Sequence, residues 1–312
     1  MNIQQIEYLL AVNKYRSFSK AAENIFVTQP ALTIQIRRLE DELGVELFDR
    51  NKKPLEPTEI GERIIEQARF LQKNIEKLSD IVSEFKRELS GNLRIGIIPT
   101  VSPYLVPKFV NEFVENFPEV NLQFTELITE DILSHLEEGT LDAGIIVTPF
   151  PMKNMTVFPL YYEEFFLYVS DKHPLIKRKN IRVSELNLHD LWLLEEGNCF
   201  RNQVINICRR EKDYKSKWKF DYESLSIDSL LKIVNSSRGI TVIPELALED
   251  VPESGKNKVK KFLNYHPVRE VSLIVEKTFL KKNLIEGLTE IIINGMPKKM
   301  RVKHGELIST IT

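Results

Sequence analysis

Between Thr58 and Leu89, apolar residues recur at Ile64, Ala68, Leu71, Ile75, Leu78, Val82, Phe85 and Leu89, with gaps that alternate four and three. That period fits one α-helix carrying a narrow apolar seam, and no glycine or proline interrupts it after Gly61. A helix over residues 58–89 would extend about 48 Å. Charged side chains cover its other faces, so a second copy of the helix is the expected partner. The seam also divides the 312-residue chain into two parts of different pattern. A chain of that length is expected to form two or three domains.

Residues 1–57 read as a helical module. "IEYLLAVNKY" has helical apolar spacing, and "SFSKAAENIF" is a short helix opened by Ser17 or Ser19. "TQPALTIQIRRLEDELG" is a third helix, opened by Thr28 and stopped at Gly44. Pro30 falls in its first turn, where a missing N–H costs little. "LFDRNKKPLEPT" follows as a charged, hairpin-like loop.

The second and third helices have helix-turn-helix spacing. In the third, Leu32, Ile36, Leu39 and Leu43 share a face that should pack inward. Gln29, Thr33 and Arg37 lie opposite, with Thr28 and Pro30 at the helix start. They offer an amide for adenine edges, a hydroxyl with a methyl, and a guanidinium for guanine or phosphate. Arg50, Lys52 and Lys53 in the loop are placed to grip backbone phosphates. Residues 1–60 carry 8 basic and 9 acidic side chains, and the whole chain has a net charge of −2. Charge alone therefore leaves a plain three-helix bundle open.

"SGN" at 90–92 ends the helical part. "NLRIGIIPT", "NLQFTELIT", "LDAGIIVTP", "EEFFLYVS", "GITVIPE" and "REVSLIVEK" are strand-like and alternate with helical stretches, closing on a helix at 279–294. Such alternation predicts a mostly parallel sheet. Residues 90–312 should form a two-lobed α/β domain, lobe I over about 92–161 and 266–300 and lobe II over about 162–265. "PKKMRVKH" near the C-terminus reads as a solvated basic stretch.

The N-terminus has no secretory pattern and no apolar run is long enough to span a bilayer, so a cytoplasmic location with reduced thiols is expected. The five histidines are scattered without metal-ligand spacing. No metal or cofactor is expected.

Both cysteines, Cys199 and Cys208, fall within "GNCFRNQVINICRRE". The surrounding sequence reads as a strand, a turn at Gly197–Asn198, and a helix capped by Asn198. Cys199 would stand in the first helical turn, where the dipole and free N–H groups favour a thiolate, with Arg201 as a nearby cation. A helix between the two cysteines would separate their Cα atoms by about 13 Å and put their side chains on opposite faces. A disulfide needs Cα atoms within about 7 Å. Two inert core cysteines, or a switch that unwinds the helix, both remain open on these residues alone.

"FSKAAENIFVTQPALTIQIRRLEDELGVELFDR" resembles the winged helix-turn-helix of LysR-type transcriptional regulators, and "PTEIGE" resembles the T-x-x-G that follows the wing. The resemblance implies an all-α winged helix-turn-helix, a dimerising linker helix at 58–89, and a two-lobed regulatory domain like type 2 periplasmic binding proteins. It implies a double-stranded DNA operator, assembly as a dimer of dimers, contact with RNA polymerase, and no enzymatic turnover.

A second likeness is to the peroxide-sensing members of that family. It runs through "MNIQQIEYLLAV", "IGIIPTVSPYLVP", "EEGNCFRNQ", "GITVIPELAL" and "PVREVSLIV", and includes the spacing of Cys199 and Cys208. It implies a transcriptional activator in which Cys199 attacks hydrogen peroxide and Cys208 closes a disulfide. A thiol reductant such as glutaredoxin or thioredoxin would reopen it. Thr100 and Thr129 match threonines that line the peroxide pocket in those relatives, and Gln203 and Arg269 match further residues around it. Asn198 stands where a histidine is common. Two alternatives stay in view: a regulator whose cleft takes a small organic effector, and a thiol peroxidase, against which the DNA-reading module argues.

Overall fold

The computed structural model describes residues 1–86, 90–208, 224 and 226–310. The chain forms two compact units, one of residues 1–88 with 137–140 and one of the remainder.

In the first unit, α1 (Ile3–Tyr15), α2 (Phe18–Asn24) and α3 (Gln29–Leu43) are followed by a two-residue ladder of β1 (Phe48–Asp49) and β2 (Glu56–Pro57), then by α4 (Glu59–Lys86). Ser17 caps α2, and the Thr28 hydroxyl caps α3 by accepting from the Ala31 N–H at 3.4 Å. Leu9, Val12, Ala21, Ala22, Leu32, Ile36, Leu39, Leu47 and Phe48 form the core. Leu43 does not join it. It is 38% exposed at the last position of α3, past the helices it would have to reach.

The T-x-x-G stretch has a local physical cause. Thr58 Oγ1 donates to the Glu46 carbonyl at 2.7 Å and accepts from the Gly61 N–H at 3.0 Å. A Cβ on Gly61 would stand 2.1 Å from the Leu47 carbonyl oxygen, so only glycine lets α4 start against the ladder.

Along α4, Ala68 is buried, while Leu71, Leu78 and Ile81 are exposed within the single chain. The side chains of Val82 and Phe85, and Leu89 altogether, lie outside the described residues.

The second unit is built on one mixed sheet. Its elements are β3 (Gly91–Ile97), α5 (Ser102–Asn116), β4 (Val120–Glu126), α6 (Thr129–Glu138), β5 (Ala143–Thr148), β6 (Met155–Val169) and β7 (Asn180–Ile181). α7 (Cys199–Ile207), α8 (Ile227–Ser236), β8 (Ile240–Pro244), β9 (Val259–Phe262), β10 (Pro267–Glu276), α9 (Lys282–Gly295) and β11 (Glu306–Leu307) follow. The strand order is β4-β3-β5-β10-β6-β9-β7, with β11 against β10 and β8 against β6.

The expected mostly parallel sheet is corrected here. β3 pairs parallel with β4 and β5, but β10 pairs antiparallel with β5 and β6, and β6 pairs antiparallel with β8 and β9. Alternating helix and strand runs give no strand direction. The two long strands β6 and β10 pair antiparallel over nine positions, and β6 crosses residue 162 without a break.

Two further expectations change. "LLEE", the stretch before the turn into the cysteine helix, forms no strand: a single bridge joins Leu191 to Ile240, and the chain turns at Glu196 and Gly197. The basic C-terminal stretch is partly structural, since Met300 is 2% exposed and Arg301 donates to the carbonyls of Met296 and Asn294.

Candidate functional site

Thr100 follows β3, Thr129 opens α6, Cys199 opens α7, and Arg269 stands on β10, so four distant segments converge. The Thr129 hydroxyl lies 3.2 Å from the Cys199 sulfur, and both residues are buried. Gly197 (φ +83°) turns the chain into α7, and the Asn198 carboxamide oxygen accepts the Phe200 N–H at 2.9 Å. Asn198 thus closes the end of the helix that presents Cys199.

Arg269 is the electrostatic centre. It is 1% exposed and donates through Nε to Glu163 at 2.8 Å. It also donates to the Thr100 hydroxyl at 3.1 Å and the Thr100 carbonyl at 3.0 Å. Glu163, equally buried, spends its other oxygen on the Leu246 N–H at 3.1 Å. The ring of Phe200 lies 5.3 Å from the guanidinium. A buried ion pair is tolerable only when its remaining hydrogen-bonding capacity is met in this way.

At Cys199 burial outweighs the helix start, whose backbone N–H does favour the thiolate. Burial pushes its thiol above the ordinary range. The Thr129 hydrogen bond and the charge of Arg269 act in the opposite direction, and Glu130 acts with burial. The cation in play is Arg269. Arg201 instead donates to the Leu194 carbonyl at 2.9 Å, with Glu196 3.7 Å away.

Cys208 caps the far end of α7, is 6% exposed, and forms no disulfide with Cys199. Between them, Phe200, Val204 and Ile207 bury the apolar face of the helix. At roughly 1.5–3 kcal/mol for each such side chain, this packing resists unwinding.

The C-terminal segment is strapped across the same helix. β11 pairs with β10, and Ile308 N–H donates to the Val268 carbonyl at 3.0 Å. Asn202, Gln203 and Asn206 of α7 donate to the carbonyls of Thr310, Ile308 and Ser309 at 3.1, 3.0 and 3.0 Å. The second atom of the Gln203 amide, Oε1, has no hydrogen-bond partner among the described residues.

Sequence reasoning missed Glu163, Phe200 and this strap. The adjacent charges of Glu163 and Glu164 inside a mostly apolar run were the available signal for the first.

In the N-terminal unit, Gln29, Pro30 and Arg37 are exposed on α3. Thr33 is half-buried, and its hydroxyl donates to the Gln29 carbonyl at 2.8 Å. Arg50 is engaged by buried Glu40 at 2.6 Å and stacks 5.5 Å from the ring of Phe18. Lys52 pairs with Glu56, and Lys53 is exposed. Among the described residues, no group of three or more His, Cys, Asp or Glu could hold a metal ion, and no helix is long and apolar enough to cross a membrane.

Residues 86–296 match the LysR substrate binding domain, and residues 3–62 match the bacterial regulatory helix-turn-helix protein of the lysR family. The chain belongs to the LysR family. Among its LysR-family relatives is the hydrogen peroxide-inducible genes activator of Haemophilus influenzae. It is 34% identical over 277 residues, which cover 88% of this chain and 90% of that one. The DNA-binding transcriptional dual regulator OxyR of Escherichia coli K12 is 31% identical over 94% of this chain and 95% of its own. Of solved structures, a full-length variant of OxyR from Pseudomonas aeruginosa superposes with a TM-score of 0.75 at 29% identity, covering 94% of this chain and 98% of that one. OxyR from Porphyromonas gingivalis gives 0.65 at 32% identity, covering 70% of this chain and all of that one.

Proposed function

We propose that this LysR-family regulator binds DNA through its N-terminal module and senses hydrogen peroxide through a reversible Cys199–Cys208 disulfide. The observation that carries the reading is Cys199 held 3.2 Å from the Thr129 hydroxyl beside buried Arg269. That sets a thiol among buried polar side chains, a hydroxyl in contact with its sulfur and a cation close by, which suits reaction with an oxygen-rich oxidant. The relatives named as peroxide-inducible activators support the choice of oxidant.

In this reading Thr100, Thr129, Asn198, Gln203 and Arg269 surround the peroxide. The Cys199 thiolate attacks one oxygen and the O–O bond breaks. The departing hydroxide takes a proton and leaves as water, and Cys199 becomes a sulfenic acid. The Cys208 thiolate then attacks that sulfur, the S–OH bond breaks, and a second water leaves as the disulfide forms. Two thiols and one peroxide become one disulfide and two waters. A dithiol reductant such as glutaredoxin or thioredoxin returns the two electrons. In this reading the disulfide persists long enough to be read out on DNA, so the pair works as a switch in the cytoplasm rather than as a turnover enzyme.

Because α7 must unwind for the sulfurs to meet, oxidation would change the packing of Phe200, Val204 and Ile207 and loosen the C-terminal strap. The exposed seam of α4 pairs two copies, and the regulatory units pair dimers into a tetramer. Thr28, Gln29, Pro30, Thr33 and Arg37 meet the operator groove, with Lys52 and Lys53 on phosphates. Arg50 serves the same surface by fixing the wing to α3 through Glu40. The bound tetramer recruits RNA polymerase.

The test is a footprint on a duplex selected by the protein from a random-sequence library. Peroxide should alter the wild-type footprint and leave that of Cys199→Ser unchanged. An equal response in Cys199→Ser would contradict the reading.

A further inference from the structure

The turn between α2 and α3 carries an aromatic ring that the core does not use. α2 is capped by Ile25, and the chain turns through Phe26 at φ +56°. Val27 N–H donates to the Ala22 carbonyl at 3.0 Å and Phe26 N–H to the Glu23 carbonyl at 3.4 Å. These are the two bonds of a Schellman helix stop, whose left-handed residue is usually glycine and sometimes asparagine, because a Cβ crowds the backbone there.

Phenylalanine in that position is strained and gains nothing from folding. Its neighbours Ile25 and Val27 pack against the helical core, while Phe26 is 95% exposed. A large apolar ring held in a costly conformation and left in water points to a partner outside the chain.

Its place in the fold narrows that partner. Phe26 stands two residues before Thr28, the cap of α3, and Gln29 and Pro30 are exposed just beyond. In a helix-turn-helix this end of the second helix enters the major groove. From Asn24 to Leu39 the chain carries two arginines and no acidic residue, which suits the same surface. The apolar group that duplex DNA shows in that groove is the C5-methyl of thymine.

We propose that Phe26 is a base-reading residue whose ring packs on a thymine methyl at the edge of the site read by α3. The proposal rests on the DNA-binding reading above.

The experiment uses the full-length chain and a duplex it selects from a random-sequence library, with affinity read by fluorescence anisotropy. Asparagine tolerates the left-handed turn, so Phe26→Asn should melt no lower than wild type, which separates lost binding from lost folding. Phe26→Asn should bind the selected duplex about fivefold to tenfold more weakly, with unchanged affinity for a random duplex and an unchanged salt slope. Phe26→Tyr should retain most of the affinity. Replacing one thymine by deoxyuridine should weaken wild type at that position by a similar factor and leave Phe26→Asn unaffected.

Equal affinity of Phe26→Asn and wild type overturns the proposal, as does insensitivity of wild type to every thymine replacement. A change in self-association of the variant, without a change in sequence preference, gives the ring to a second copy and also overturns it. Failure of wild type to select any duplex removes the DNA-binding reading itself, and the proposal with it.

Discussion

The hydroxyl of Thr129 stands 3.2 Å from the sulfur of Cys199, across 70 residues of sequence. It opposes the burial that pushes the thiol up, so it sets how much thiolate is present to meet an oxidant. Because the thiol titrates above its ordinary range, the rate of reaction with peroxide should still be rising at pH 9. Thr129→Val removes the opposing hydrogen bond and moves that rising limb to higher pH. A hydrogen bond to a charged group is worth about 1.5–3 kcal/mol, so the rate at pH 7 should fall at least tenfold or so. Thr129→Ser should restore it. Stopped-flow kinetics across pH would check both.

Arg269 and Glu163 separate structure from chemistry. Removing the guanidinium in Arg269→Met strands a buried carboxylate and should cost about 3–5 kcal/mol in urea unfolding. Adding Glu163→Leu removes the stranded charge and should recover most of that stability. The peroxide rate of the double variant should stay low, because Thr100 and Cys199 have lost their cation.

The strap across α7 should act as a brake on disulfide closure. Each hydrogen bond from Asn202, Gln203 and Asn206 contributes about 1 kcal/mol to the helical state. Asn206→Ala, at a half-buried position far from Cys199 along the helix, should therefore speed the step from sulfenic acid to disulfide about fivefold. Its first step, the loss of peroxide, should be unchanged. Trapping the sulfenic acid with a dimedone probe over time would resolve the two steps.

Much of the layout is legible in the sequence. The caps Ser17 and Thr28, the stop at Gly44, the long helix α4 and the helix between the cysteines all follow from local chemistry, and the structure has them. What local chemistry could not supply was strand direction and register. Arg269 meets Glu163 because β10 and β6 pair antiparallel, and no pattern within either strand announces that. The same limit hid the strap, since β11 is only two residues long and takes its meaning from β10 beneath it. Arg201 sits close to Cys199 in sequence, but the helix turns it towards the Leu194 carbonyl.

The seam of α4 makes its own prediction. Leu78 is 64% exposed in the single chain, at the centre of the heptad pattern. Leu78→Glu places a charge in each half of a paired seam and should shift the protein to monomers in sedimentation velocity. Operator affinity should fall with it, because two half-sites can no longer be held at once.

The most direct measurement is a free-thiol count with intact mass, before and after one equivalent of hydrogen peroxide. Peroxide should take the protein from two thiols per subunit to none, with a loss of about two mass units for two hydrogens. Cys199→Ser should keep its remaining thiol. Two thiols surviving in the wild-type chain, or a gain of oxygen with no disulfide, would contradict it.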